Sequence, residues 1–175
     1  MANVPTNQTC YNCHGPDRGQ IKKESEKLAM VRDAEKTGVP IQWTKVHKAP
    51  DFVYFNHSAH LNRGISCQNC HGQINEMEVV RHAESHSMGW CLDCHRAPEK
   101  NLRPLEHVTN LAYNPGDLDR KAFYAKLGLK DKDLDDSVAQ AAKKYGAKVT
   151  QEEAGLQIKE HWRITPSEAC TTCHR

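Results

Sequence analysis

A mainly α-helical chain with much irregular structure is what this sequence predicts, on three observations. Short helical signals are separated by polar stretches punctuated with Gly and Pro, large apolar side chains are scarce, and the cysteines fall in four close pairs. A chain of 175 residues is the length of one modest domain, which normally buries a substantial apolar core. Here only three Trp, five Tyr and three Phe are present, mean hydropathy is −0.78, and 26% of residues are charged. Something other than side chains must therefore fill the middle. The net charge of +2 comes from interleaved Lys/Arg and Asp/Glu without a basic block, so nothing provides an electrostatic footprint for nucleic acid.

Along the chain, Ser25 to Thr37 places Leu28, Val31 and Ala34 at helical spacing, closed by Gly38 and Pro40. Phe52-Val53-Tyr54-Phe55 reads as an apolar extended run, ending where Asn56 caps a helical turn. Helical patterns return at Leu118 to Leu127 and at Leu134 to Tyr145, the latter stopped by Gly146, and Thr150-Gln151-Glu152-Glu153 reads as a capping box. The expected organisation is a core over 1–100 with three cysteine pairs, a helical insert over 101–167, and a last pair over 168–175 returning to the core. The insert reads equally as an accessory lobe or as a docking surface for a partner subunit. No stretch approaches the roughly 18 apolar residues of a membrane span.

Spacing decides what the cysteines do. They occur as Cys10-Tyr11-Asn12-Cys13-His14, Cys67-Gln68-Asn69-Cys70-His71, Cys91-Leu92-Asp93-Cys94-His95 and Cys170-Thr171-Thr172-Cys173-His174, with none left over. One such pair could be a zinc knuckle, a redox dithiol or a disulfide loop. Four copies, each with His immediately after, point to haem attachment: two thiols add across the vinyl groups, and the adjacent imidazole reaches the iron. The expected cofactors are four covalently bound haem c, with His14, His71, His95 and His174 as iron ligands. The fold class then sharpens to a small multihaem cytochrome c organised around a covalent haem cluster, whose macrocycles supply the missing apolar bulk. Because such attachment in bacteria follows export, the periplasmic side of a membrane is expected. The opening Met1-Ala2-Asn3-Val4-Pro5 has no charged-then-apolar leader, so a preceding segment is expected too.

A sixth iron ligand can come from His47, His57, His60, His82, His86, His107 or His161, or from Met30, Met77 or Met88. His57 and His60 have the strongest local case: three apart on one helical turn, they are too offset to share an iron from one side but can reach two neighbouring haems. His47, with Trp43 near it in sequence as a packing surface, is a third candidate, and Met88 could supply a thioether. His82 and His86, four apart, read as a solvated helix face.

With Cys67-Gln68-Asn69-Cys70-His71-Gly72 following it, Asp51-Phe52-Val53-Tyr54-Phe55-Asn56-His57-Ser58-Ala59-His60 resembles the class III multihaem cytochromes c, in which the two histidines of H-x-x-H go to different haems. Four further segments make a closer match: Val4 to Cys10, Pro40 to His47, Ser87-Met88-Gly89-Trp90-Cys91 through Arg96, and the closing Cys170 to Arg175. Together they resemble the pentahaem cytochrome subunit of alternative complex III. That resemblance implies a module of a quinol-oxidising membrane complex, handing electrons to a monohaem cytochrome or terminal oxidase. The implied partners are an iron–sulfur subunit and integral quinol-binding subunits, and a further haem motif and an anchor would precede this segment.

Three functions compete. A non-catalytic electron wire needs closely packed six-coordinate haems and no substrate pocket, and the surplus of His favours it. A multihaem enzyme needs one iron with an open face. A free-standing periplasmic tetrahaem shuttle leaves the long insert without a purpose.

Overall fold

The computed structural model describes residues 6–174 and divides into two compact units, the first running to Lys45 and the second from Val46. Nine α-helices lie among the described residues, joined by 3₁₀ turns and irregular chain. There is no strand among them, only two isolated antiparallel bridges, Val53 with His174 and Ile65 with Leu102. The mainly α, irregular class expected from the sequence is what forms.

In the first unit, α1 (Asn7–His14) packs against α2 (Ala29–Thr37). The expected single helix from Ser25 opens instead as a 3₁₀ turn, Glu26–Leu28. The Arg32 guanidinium reaches back to the carbonyls of Lys23 (2.8 Å) and Ser25 (3.0 Å), partners that a regular first turn would leave to solvent. Val31 and Ala34 form its buried face, and Gly38 closes it in the left-handed conformation at φ 70°.

The second unit begins its helices with α3 (His57–Leu61). Asn56 is extended and its side chain accepts the Ser58 N–H at 2.9 Å, as the sequence led one to expect. Then come α4 (Gln68–His71), α5 (Met88–Arg96), α6 (Arg120–Lys126), α7 (Asp131–Tyr145), α8 (Gln151–His161) and α9 (Cys170–Cys173). Leu102, Phe123, Tyr124, Leu127, Leu134 and Ile158 are among its core residues, so most of the apolar side-chain core lies in the 101–167 stretch. The four helices that carry cysteine pairs, by contrast, bury none of their own residues.

The capping box at the start of α8 forms only in half. Thr150 Oγ1 accepts the Glu153 N–H at 3.1 Å, but the Glu153 carboxylate does not return to the cap. It is fully buried and takes Nε and Nη2 of Arg120 at 2.7 and 2.9 Å, with the Tyr124 hydroxyl at 3.3 Å. Arg120 also donates to the carbonyls of Ala147 and Lys148, and its pairing with Glu153 raises its pKa further. A buried arginine outcompetes a solvent-facing cap for the carboxylate because its charge would otherwise be left without a partner.

α8 is what ties this lobe to the third cysteine pair. Gln151 donates to the carbonyls of Glu99 and Leu102, and Lys159 pairs with the Glu99 carboxylate at 2.8 Å, gripping the turn Pro98–Lys100 that follows α5. Gly155 makes the approach possible: a Cβ there would clash with the Glu99 carbonyl. Gly155→Ala should therefore destabilise the chain by about 1–3 kcal/mol through overpacking, opposite in sign to the helix-propensity gain of roughly 1 kcal/mol. Thermal unfolding reads the sign, and a rise in Tm would exclude the close approach.

Candidate haem-binding site

Each cysteine pair sits on one helical turn with its thiols at i and i+3, which puts both sulphurs on one face. In α1, α5 and α9 both cysteines are helical; Cys67 precedes α4 with helical dihedrals, φ −52° and ψ −43°, so the spacing is the same. All eight thiols are unpaired. Burial pushes the Cys70 thiol up to about 11, with the nearby Cys94, Cys91 and Cys67 sulphurs adding to it, so the second and third pairs lie close together. Side chains also link them: Asn69 Nδ2 donates to Asn101 Oδ1 at 2.9 Å, and Asn101 donates to the Cys94 sulphur at 3.4 Å.

The imidazoles that follow the pairs are oriented from behind. A carbonyl can only accept, so a ring nitrogen bonded to one carries the proton and leaves the other nitrogen its lone pair. His14 Nδ1 donates to the Ile21 carbonyl at 2.8 Å and His95 Nδ1 to the Ser167 carbonyl at 2.7 Å, which frees both Nε2 atoms to ligate. His71 Nδ1 is buried without a partner. The His174 ring stacks on Phe52 at 5.7 Å, while the Tyr54 N–H donates to the Cys173 carbonyl at 2.8 Å, so the last motif returns to the extended run before α3. An ion pair between Arg96 and Glu168 at 2.9 Å holds the third and fourth motifs side by side.

Two imidazoles bound to one metal from opposite sides, each at about 2 Å, hold their ring centroids about 6 Å apart. His57 and His71 stand at 6.4 Å with rings 4° from parallel, and His60 and His95 at 6.3 Å. The two histidines of α3 thus face two different motifs. His60 Nδ1 is anchored to the Asn56 carbonyl at 2.9 Å, again leaving Nε2 its lone pair. Burial is the first cause holding the pKa values of His47, His60 and His71 below the ordinary histidine value, which favours the neutral form that binds metal.

His47 lies beside the second motif with its Nε2 buried and unpartnered, but its ring is only 4.3 Å from His71, too close to bind the same iron from the opposite face. Met88, at the start of α5, is two-thirds exposed. The helix face expected for His82 and His86 does not form. Residues 80–87 are irregular, and His86 adopts a left-handed φ of 49° that a helix cannot hold. His86 Nε2 donates instead to the Cys70 carbonyl at 2.6 Å and its Nδ1 accepts from His82 Nε2 at 3.0 Å. Nothing in the sequence pattern pointed to Ser167, Asn69 or Asn101, whose parts depend on contacts between distant segments.

These residues fit haem. Among the described residues no three His, Cys, Asp or Glu side chains gather as a metal cluster would require. The thiol pairs, the opposed imidazoles and the unpartnered ring nitrogens of His47 and His71 suit a large planar group carrying its own metal. Beside the second motif lies an open, largely polar cleft of about 490 Å³, lined by Gln68, Gly72, Met77 and Arg81 with the carboxylates of Glu76 and Glu84. Phe52, Tyr54, Phe55, Val79 and Val80 lie exposed around the motifs, an apolar surface suited to a porphyrin.

The four thiol pairs with their histidines, and the family match of the central segment, support a multihaem c-type cytochrome, a class of electron-transfer protein that carries covalently bound haem c. Residues 53–115 match the family described as cytochrome c7 and related cytochrome c, a stretch that holds His57, His60 and the second and third motifs. No curated protein matches the chain.

Proposed function

We propose that the chain is a non-catalytic electron wire carrying four haems, each attached through one cysteine pair and ligated by His14, His71, His95 or His174. The observation that supports this is the pairing of His57 with His71 at 6.4 Å and of His60 with His95 at 6.3 Å between ring centroids, a separation that suits two imidazoles on one iron; with both pairs ligating, two irons would have no face left for substrate. Haem supplies reversible one-electron chemistry; the protein's own residues fasten it, close its axial positions and set neighbouring groups within short range. His47, with its unpartnered Nε2, and Met88 are the candidate ligands for irons that His57 and His60 do not serve.

The wire belongs, on this reading, to the periplasmic side of a bacterial membrane, where it accepts electrons from a quinol-oxidising complex and passes them to a cytochrome c or terminal oxidase. The support is the resemblance to the pentahaem subunit of alternative complex III, with an iron–sulfur subunit, quinol-binding membrane subunits and a monohaem cytochrome as partners. The helical lobe over 101–167, with an apolar core of its own, is the docking element.

The test is carbon monoxide binding to the fully reduced, haem-loaded chain, together with a haem count per chain. Four haems and an unchanged visible spectrum are expected. A stoichiometric spectral shift would reveal an open iron and return the enzyme reading, and a count below four would remove a motif from the assignment. Recovery of the native protein in the soluble fraction, apart from any membrane complex, would favour the free-standing shuttle.

A further inference from the structure

We infer that the haem attached at Cys91 and Cys94 is held at a lower potential than the haem attached at Cys67 and Cys70, because backbone carbonyls strengthen both imidazoles of the former and neither imidazole of the latter. This rests on reading His57 and His71, and His60 and His95, as the two ligand pairs.

The asymmetry is in the hydrogen bonds behind the rings. At the third motif, His95 Nδ1 donates to the Ser167 carbonyl at 2.7 Å and His60 Nδ1 donates to the Asn56 carbonyl at 2.9 Å. At the second, His71 Nδ1 is buried with no acceptor, and His57 makes no side-chain hydrogen bond among the described residues. An imidazole that gives its N–H to a carbonyl becomes a more basic ligand, and a more basic ligand favours ferric over ferrous iron. Two such bonds at one iron and none at its neighbour act in the same direction.

Nearby charge does not reverse the order. Beside the third motif Arg96 and Glu168 neutralise one another at 2.9 Å. Beside the second, Glu76, Arg81 and Glu84 line the open cleft, where solvent screens them.

The acceptor for His95 lies 72 residues away in sequence and is delivered by the returning end of the 101–167 insert. Ser167 is fixed there: its hydroxyl shares a hydrogen bond with Thr172 at 2.8 Å and accepts the Ala169 N–H at 3.2 Å, while the next residue, Glu168, is paired with Arg96. Ser167 is thus a positioning residue for the third iron, and one consequence of the insert is to set that iron's potential. An electron shared by these two haems rests mainly on the one at Cys67 and Cys70.

The test is spectroelectrochemistry of the haem-loaded full chain, with its reduction waves assigned by His57→Met and His60→Met. A thioether in place of imidazole raises the potential of the iron concerned, so each substitution marks one wave. The wave moved by His57→Met should be the more positive of the two in the unsubstituted protein, and the wave moved by His60→Met the more negative. The reverse order, or two waves at one potential, overturns the inference with the ligand assignment intact. If neither substitution moves a wave, the ligand assignment itself fails, and the inference with it.

Discussion

Glu153→Ala is expected to destabilise the chain by about 3–5 kcal/mol, the cost of leaving a buried charge without its partner. The Glu153 side chain is fully buried, and its carboxylate holds the Arg120 guanidinium through two short bonds while accepting from Tyr124. Removing it leaves Arg120, itself 8% exposed, with only the carbonyls of Ala147 and Lys148. Neutral acceptors stabilise a guanidinium less than a carboxylate does. Urea unfolding of the substituted chain measures the loss. A double replacement, Arg120→Met with Glu153→Leu, removes both charges at similar volume and should be near neutral, which separates the unpaired charge from mere loss of packing. A loss below about 1 kcal/mol for Glu153→Ala would mean that Arg120 reaches water once released.

His60→Ala should open one iron and change carbon monoxide uptake from none to one per chain. His60 lies 6.3 Å from His95 between ring centroids, and its Nδ1 is committed to the Asn56 carbonyl, so on the proposed assignment its Nε2 is the atom that would close the third iron. Alanine removes that atom while leaving the Asn56 cap, which contacts Ser58, untouched. Covalent attachment through Cys91 and Cys94 does not depend on His60, so haem content should stay at the unsubstituted value. Full haem content with no carbon monoxide bound would show that another side chain occupies that axial position.

Much of the site was legible because its chemistry is local. Two thiols three apart with a histidine next to the second need only one helical turn, and Asn56 ahead of His57 caps by contacts two residues long. The direction of His57 and His60 toward different motifs was legible for the same reason. The same local logic failed at His82 and His86, where four-residue spacing suggested a helix. His86 bonds a carbonyl sixteen residues earlier, and no periodicity records that competition. It failed again at Glu153, where a capping pattern was overridden by a buried arginine thirty-three residues before it.

Composition and short-range spacing suffice to read covalent haem attachment, the helical and irregular class, and the shortage of apolar core in the segments that bear cysteines. Which imidazole lies beside which, that the Ser167 carbonyl accepts from His95, and that α8 grips the turn behind the third motif all come from tertiary contacts. Those arrangements arise when segments as many as 72 residues apart meet, and hydrogen-bond partners at that separation are selected by packing and burial.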